Sequence, residues 1–169
     1  MKINRVFARA NKWTFQITPI KELLDRYVGD LGYNWADPYS GSSKLVTYTN
    51  DIRPEMGCWS CGDALDFCNK VPCDLSGVLF DPPYSYRQVS EHYKQAGIKP
   101  TYKDTSYNFY ARVMNPLGKK IKKGGYAISL GWNSNGFGKK RGFEIIEILI
   151  VAHGLHHHDT IVTVEEKLM

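Results

Sequence analysis

Apolar positions along the chain change their spacing several times, and each spacing predicts a different element. Between Pro19 and Val28 they recur every three or four residues, which predicts an amphipathic helix with Thr18 as its cap and Gly29 at its end. From Asn34 onward, short apolar runs alternate with helix-like or loop segments, a pattern typical of a parallel sheet covered by helices. The predicted strands are 34–37, 45–50, 58–61, 77–80, 126–130, 143–152 and 160–164, and further helices are predicted at 87–95 and 108–121.

Length and composition favour a single domain over residues 1–169. Hydrophobic residues make up 43% of the chain and charged residues 23%, which suits an ordinary globule with a buried core. No apolar run approaches the roughly 20 residues that cross a bilayer, and the charged first residues have no apolar stretch behind them. We therefore expect a cytoplasmic protein without a membrane partner.

The charge pattern permits a nucleic-acid partner without requiring one. The formal net charge is +5, and the second half carries lysine clusters, including the run Lys139, Lys140 and Arg141. Such runs neutralise phosphates in nucleic-acid-binding proteins, but they also occur on ordinary solvated surfaces. The charge alone leaves both alternatives open.

Neither the cysteines nor the histidines predict a metal site. Cys58 and Cys61 form a CxxC pair, but the spacings to Cys68 and Cys73 match no common zinc module, so free or buried thiols are favoured over zinc. The histidines at 156–158 are adjacent, and neighbours on an extended segment point to opposite sides.

The most informative segment is an apolar run that ends in Asp81, Pro82, Pro83 and Tyr84. The prolines fix their own φ angles and bias the residues before them to extended geometry, which aims the Asp81 carboxylate and the Pro82 carbonyl at one point. Two such acceptors draw the protons of an aromatic amino group out of the ring plane and make its nitrogen nucleophilic. Tyr84 offers a ring on which a base can stack after leaving its helix. A turn that merely ends the strand is the plainer alternative.

This tetrad resembles motif IV of the amino-methyltransferases, and its Asp-Pro-Pro-Tyr form is typical of the adenine-specific DNA enzymes. Residues 35–43 resemble motif I of the same family, written D-P-F-x-G-x-G, although Ser43 stands where glycine is common. Residues 14–24 resemble motif X and residues 62–67 resemble motif III. The cofactor-binding residues that the resemblance implies are Phe15, Asp37, Pro38, Tyr39, Gly41, Asp51, Asp63, Ala64 and Asp81.

The resemblance assigns a role to each of these segments. Asp37 would hold the ammonium of S-adenosylmethionine, Asp51 would accept hydrogen bonds from its ribose, and Asp63 would reach its adenine. It implies a Rossmann-like class I methyltransferase fold, with a seven-stranded, mostly parallel sheet whose last strand is antiparallel. It also implies chemistry that needs no metal.

The whole chain also looks like the small adenine methyltransferases of bacteriophages and mobile elements, through residues 80–89, 131–145 and 151–161. This implies methyl transfer to the N6 amine of adenine in DNA by one catalytic domain without a target-recognition domain. Base choice would come from the loop 86–107, which includes Arg87, from the basic loop 138–142, from a second copy or from an accessory protein. In this family His153 or His156 would border the target base, and Trp132 is either a stacking wall or part of the core. RNA adenine, the amine of DNA cytosine and a non-catalytic accessory role remain alternatives.

Overall fold

The computed structural model describes residues 1–29, 32–101, 108–154 and 157–169. The helices are α1 (Thr18–Val28), α2 (Ala64–Lys70), α3 (Tyr86–Gln95) and α4 (Phe109–Lys120). The strands are β1 (Lys2–Phe7), β2 (Trp35–Asp37), β3 (Tyr48–Asp51), β4 (Ser60–Cys61), β5 (Leu75–Phe80), β6 (Ile121–Gly131), β7 (Phe143–Ala152) and β8 (Thr160–Lys167). Short 3-10 helices cover Thr14–Gln16, Pro54–Met56 and Lys139–Arg141. Within these ranges every helix is too short or too polar to traverse a bilayer.

The eight strands that the structure describes form one sheet in the order β1-β7-β8-β6-β5-β2-β3-β4. Neighbouring strands are parallel except at β8, which runs antiparallel to both β6 and β7. The predicted Rossmann-like α/β fold with an antiparallel last strand is therefore confirmed. The sheet has one strand more than predicted, because β1 adds to the edge beside β7.

One strand, β1, and one helix, α2, have no counterpart among the predictions, the strand because it is polar and the helix because it is short. β1 reads Lys-Ile-Asn-Arg-Val-Phe and is exposed along most of its length, so it lacks the apolar run that marks a buried strand. α2 is only seven residues long. Its N-cap is Asp63, whose carboxylate accepts a hydrogen bond from the Leu65 amide at 2.7 Å.

The sheet separates two hydrophobic clusters. Along β5, Val78 and Phe80 belong to the cluster packed under α2 and α4, while Leu79 belongs to the cluster under α1. Trp35 lies across β5 at Gly77, where a Cβ would come within 2.5 Å of the indole ring, so only glycine fits there. This packing fixes β2 against β5 at the centre of the sheet.

The parallel strands bring their carboxyl ends to one edge. β2 ends at Asp37, β3 ends at Asp51, and Asp81 directly follows β5. Because β2 lies between β3 and β5, these three acidic residues are neighbours at the crevice where open α/β sheets bind ligands.

Candidate active site

A cavity of about 940 Å³ opens at this carboxyl edge. Its wall contains residues from the four segments that resemble motifs X, I, III and IV, together with residues of α3 and α4. The predicted site residues in the wall are Phe15, Pro38, Tyr39, Gly41, Asp51, Asp63, Ala64, Asp81, Pro82, Pro83 and Tyr84. The fold thus brings predicted site residues that are separated along the chain, from Phe15 to Tyr84, to the wall of one cavity.

Asp37 lies behind this wall and is only 1% exposed. Its Oδ1 accepts a hydrogen bond from the Tyr39 amide at 2.9 Å, whereas Oδ2 has no hydrogen-bond partner among the described residues. Burial raises the pKa of Asp37 to about 8, the Tyr39 amide lowers it, and the nearby Asp81 and Asp51 raise it further. A buried carboxylate with an unpaired oxygen is costly unless a proton or a cation compensates it. Asp37 therefore suits a cationic group.

The turn after Asp37 is tied to β3 by hydrogen bonds. The Ser40 amide donates to the Asn50 carbonyl at 2.9 Å, and the Asn50 side chain donates to the Pro38 carbonyl at 3.2 Å. Gly41 takes the left-handed backbone conformation, with φ of 53°, that glycine adopts at no steric cost. Ser43 is not among the residues with positive φ, so serine fits where the resemblance favours glycine.

Asp51 is already paired in this structure, and its partner is a residue that the sequence did not single out. Arg53 donates to Asp51 Oδ1 from its amide at 2.9 Å and from Nε at 2.8 Å, and to Oδ2 from Nη2 at 3.1 Å. Nη1 of Arg53 donates to Gln95 at the end of α3, at 3.1 Å. A basic residue two positions after an acidic one is too common a pattern to have predicted this clamp.

Asp81 faces the cavity and accepts a hydrogen bond from the hydroxyl of Tyr84 at Oδ1. Burial raises the pKa of Asp81 to about 6, while the hydrogen bonds from Tyr84 and Thr14 lower it. Burial, together with the neighbouring Asp81, raises the pKa of Tyr84. Asp81 is therefore an acceptor that ionises just below neutral pH, and Tyr84 stays a neutral donor.

The other members of the tetrad are held by α3 and α4. The Tyr84 amide donates to Gln88 Oε1 at 2.6 Å, and Ser85 caps α3 by accepting from the Gln88 amide at 3.3 Å. The Tyr110 hydroxyl donates to the Pro83 carbonyl. The turn formed by the tetrad after β5 is thus hydrogen-bonded to both helices that border the cavity.

Aromatic rings continue outward from Tyr84. The ring of Trp132 lies 5.7 Å from that of Tyr84, and the ring of His158 lies 4.4 Å from that of Trp132. Trp132 is 44% exposed, so it belongs to the surface and not to the core.

His153 is buried and has structural partners, the Ala8 carbonyl and the Thr160 hydroxyl, each at 2.8 Å. His156 lies outside the described residues.

The basic loop, from which base choice was expected to come, is not part of the cavity wall. The helix Lys139–Arg141 precedes β7 with Gly142 between them, at the amino edge of the sheet, and Arg141 donates to Asn115 and to the Phe137 carbonyl. Glu144 and Tyr126 both pair with Glu166 of β8, so the start of β7 is level with Tyr126, and from there β6 runs five residues further to Gly131, at about 3.3 Å per residue. Arg87, by contrast, is exposed on the first turn of α3 beside the cavity, paired with Glu91 at 2.8 Å. Lys12 is itself part of the wall.

The cysteines are free thiols, and one of them supports the turn after β2. Cys58 Sγ lies 3.2 Å from the Gly41 carbonyl and 3.3 Å from the Ser40 hydroxyl. Burial raises the pKa of Cys68 to about 12. In the part of the chain that the structure describes, no three histidine, cysteine or acidic side chains are grouped to hold a metal ion.

The sequence matches no protein-family model and no curated protein. The structure is similar to that of TrmN from Thermus thermophilus, with a TM-score of 0.60 and 16% identity over 90% of this chain and 49% of that one. It is similar to 1,6-didemethyltoxoflavin-N1-methyltransferase from Burkholderia thailandensis, solved with S-adenosylhomocysteine, with a TM-score of 0.58 and 9% identity over 89% and 77% of the two chains. An rRNA methylase from Streptococcus thermophilus has a TM-score of 0.56 and 9% identity over 96% and 100%. The chain spans about half the length of TrmN, and these likenesses show that it has the methyltransferase fold.

Proposed function

We propose that the chain is an S-adenosylmethionine-dependent methyltransferase that acts on the exocyclic N6 amine of adenine in DNA. One observation carries this proposal: Asp81, an acceptor facing the cavity, lies at the end of the strand next to that of Asp37, a buried carboxylate with an unpaired oxygen. An amine acceptor thus lines the crevice, and a carboxylate suited to a cation lies directly behind the crevice wall. The methyltransferase fold supports this pairing of roles.

The residues around the cavity fit the cofactor group by group. The unpaired Asp37 Oδ2 suits the ammonium of the cofactor's methionine part. Asp51 and Asp63, both in the cavity wall, would accept hydrogen bonds from the ribose hydroxyls and from the adenine amine of the cofactor. The remaining contacts would come from Phe15, Pro38, Tyr39, Gly41 and Ala64. The Burkholderia enzyme was solved with S-adenosylhomocysteine, which supports this cofactor for the shared fold.

The tetrad holds and polarises the amine. When bound, S-adenosylmethionine supplies a methyl group on a positively charged sulfur, which becomes a neutral thioether as the methyl leaves. Asp81 and the Pro82 carbonyl would accept hydrogen bonds from the two amino protons and hold the amine where its nitrogen can attack the methyl group. The same acceptors stabilise the positive charge that develops on the nitrogen, so Asp81 need not be a strong base. The excess proton then leaves through the hydrogen bond to Asp81.

Nucleic acid is the substrate class that the surroundings favour. Tyr84 and Trp132 provide rings beside the acceptor, and Lys12 and Arg87 provide positive charge near the cavity mouth. A duplex base must leave its stack to reach Asp81. Adenine in RNA is the second candidate, favoured by the likeness to an rRNA methylase. Sequence choice would rest on α3 and the segment after it, or on a second protein.

The test is a methylation assay with identified products. The protein is incubated with labelled S-adenosylmethionine and, separately, single-stranded DNA, duplex DNA and RNA, and the methylated nucleoside is identified by mass spectrometry. We expect N6-methyladenine from DNA, and a loss of roughly a hundredfold or more in rate for Asp81→Ala. Equal labelling by the wild type and Asp81→Ala would refute the role of Asp81. Failure of the wild type to bind S-adenosylhomocysteine in calorimetry would refute the cofactor.

A further inference from the structure

Three aromatic rings form a series that begins at the tetrad and ends in solvent. Tyr84 donates its hydroxyl to Asp81, its ring lies 5.7 Å from Trp132, and Trp132 lies 4.4 Å from His158 at an interplanar angle of 36°. Trp132 directly follows β6, and His158 lies two residues before β8. All three residues are therefore at the carboxyl edge, beside the cavity.

Packing does not account for the outer two rings. Trp132 belongs to neither hydrophobic cluster and is 44% exposed, and His158 is exposed as well. A tryptophan in that position leaves a large apolar surface in water, where it contributes little to the stability of the fold. The turn that carries it is nevertheless ordered locally, since the Asn135 amide donates to Asn133 Oδ1 at 2.9 Å.

We propose that Trp132 and His158 form a stacking site for the nucleobase next to the target base in an unpaired strand. This rests on the proposed function, because Tyr84 must hold the target base at Asp81 for a neighbouring base to reach Trp132. Every base has a flat aromatic face, so an exposed pair of rings engages a single strand whatever its sequence. The substrate that this surface fits is single-stranded or locally opened nucleic acid.

The experiment measures stacking directly at each position of the strand. 2-Aminopurine, an adenine analogue whose fluorescence is quenched by stacking, is placed in turn at the target adenine and at its two neighbours in single-stranded DNA. The protein is added with S-adenosylhomocysteine, and quenching and affinity are recorded for the wild type, Trp132→Ala, Trp132→Phe and His158→Ala. Tyr33→Ala is the matched control, since Tyr33 is 78% exposed before β2 at the amino edge.

We expect quenching at one neighbouring position with the wild type and its loss with Trp132→Ala. Affinity for the strand should fall by roughly tenfold to a hundredfold in that variant, partly in His158→Ala and least in Trp132→Phe, which keeps a ring. Binding of S-adenosylhomocysteine should not change in any variant, which also reports that each one is folded.

Two results would overturn the inference. If Trp132→Ala and His158→Ala bind and quench like the wild type while methylation persists, the rings are no stacking site and the proposed function stands. If the wild type binds neither S-adenosylhomocysteine nor any nucleic acid, the proposed function fails and the stacking site fails with it.

Discussion

Arg53 holds both carboxylate oxygens of Asp51, through Nε at 2.8 Å and Nη2 at 3.1 Å. The resemblance assigns Asp51 to the ribose hydroxyls of the cofactor, and in that role its oxygens would be shared between Arg53 and the ribose. Because Arg53 also binds Gln95, this sharing would link the cofactor side of the cavity to the end of α3. Cofactor binding at Asp51 should therefore loosen the contact between Arg53 and α3.

The first prediction is that Arg53→Met destabilises the protein but increases the stabilisation that it gains from binding S-adenosylhomocysteine. Removing the guanidinium leaves the largely buried Asp51 with only the backbone amide of residue 53 as a donor, which costs up to about 3–5 kcal/mol of unfolding free energy. The freed oxygens then accept the ribose hydroxyls. We expect a lower Tm, and a larger rise of Tm on adding S-adenosylhomocysteine than in the wild type. Arg87→Met, which breaks an exposed ion pair, should change neither the Tm nor its rise on adding S-adenosylhomocysteine. If the rise of Tm for Arg53→Met is equal to or smaller than that of the wild type, Arg53 does not compete with the cofactor.

The second prediction concerns proton release at Asp37. With its pKa raised to about 8 by burial, the ligand-free side chain is largely protonated at pH 7. An ammonium group beside it favours the carboxylate, so binding of S-adenosylhomocysteine expels a proton, and affinity should rise up to about tenfold per pH unit below pH 8 and level off above it. Calorimetry in two buffers of different ionisation enthalpy measures the proton released. Asp37→Asn should bind weakly and release none, and proton uptake by the wild type would contradict this role.

The third prediction is a pH profile set by Asp81 and tuned by Tyr84. In the proposed mechanism methylation needs the Asp81 carboxylate, so kcat/KM for the nucleic acid, measured with saturating S-adenosylmethionine, should fall about tenfold per pH unit below the Asp81 pKa of about 6. Tyr84→Phe removes a hydrogen bond that lowers this pKa, and the acid limb should therefore move to higher pH. Asp81→Asn should show low activity without that limb. An unmoved limb in Tyr84→Phe would mean that the hydroxyl does not tune Asp81 in the working enzyme.

The fourth prediction separates the two positively charged regions. Lys12 lies in the cavity wall, whereas Lys139 and Lys140 lie at the amino edge. Lys12→Ala should raise KM for an oligonucleotide and reduce the slope of log affinity against log salt by about 1. The double variant Lys139→Ala with Lys140→Ala should leave both quantities unchanged. An effect of the double variant without an effect of Lys12→Ala would show that the oligonucleotide binds at the amino edge.

The elements that the sequence predicted well are those with a local apolar pattern. The range 143–152 matches β7 at both ends, because most of its residues are apolar and every second residue from 147 to 151 is buried. β1 escaped prediction because it is polar and exposed, and because its partner strand lies at the other end of the chain. The pairing of β1 with β7 cannot be predicted from the residues of β1 alone.

The site was predictable where chemistry demands particular residue types. The segments of Phe15, Tyr39, Asp63 and Asp81 do meet around one cavity. The Arg53 clamp and the Tyr84 hydrogen bond depend on side-chain direction, which motifs do not encode. The edge of the sheet at which the basic loop lies is a further example, because it follows from the direction of β7, which is known only once the strands are ordered.

The pairing of β1 with β7 also bears on how the molecule resists aggregation. Without β1, the isoleucines of β7 would lie on an open sheet edge, a template to which a strand of another chain can add. β1 occupies that edge and carries Lys2 and Arg5 among its exposed side chains, beside Ile3, Val6 and Phe7. The backbone of β7 is therefore paired on both sides, and the charges of β1 disfavour the addition of another strand.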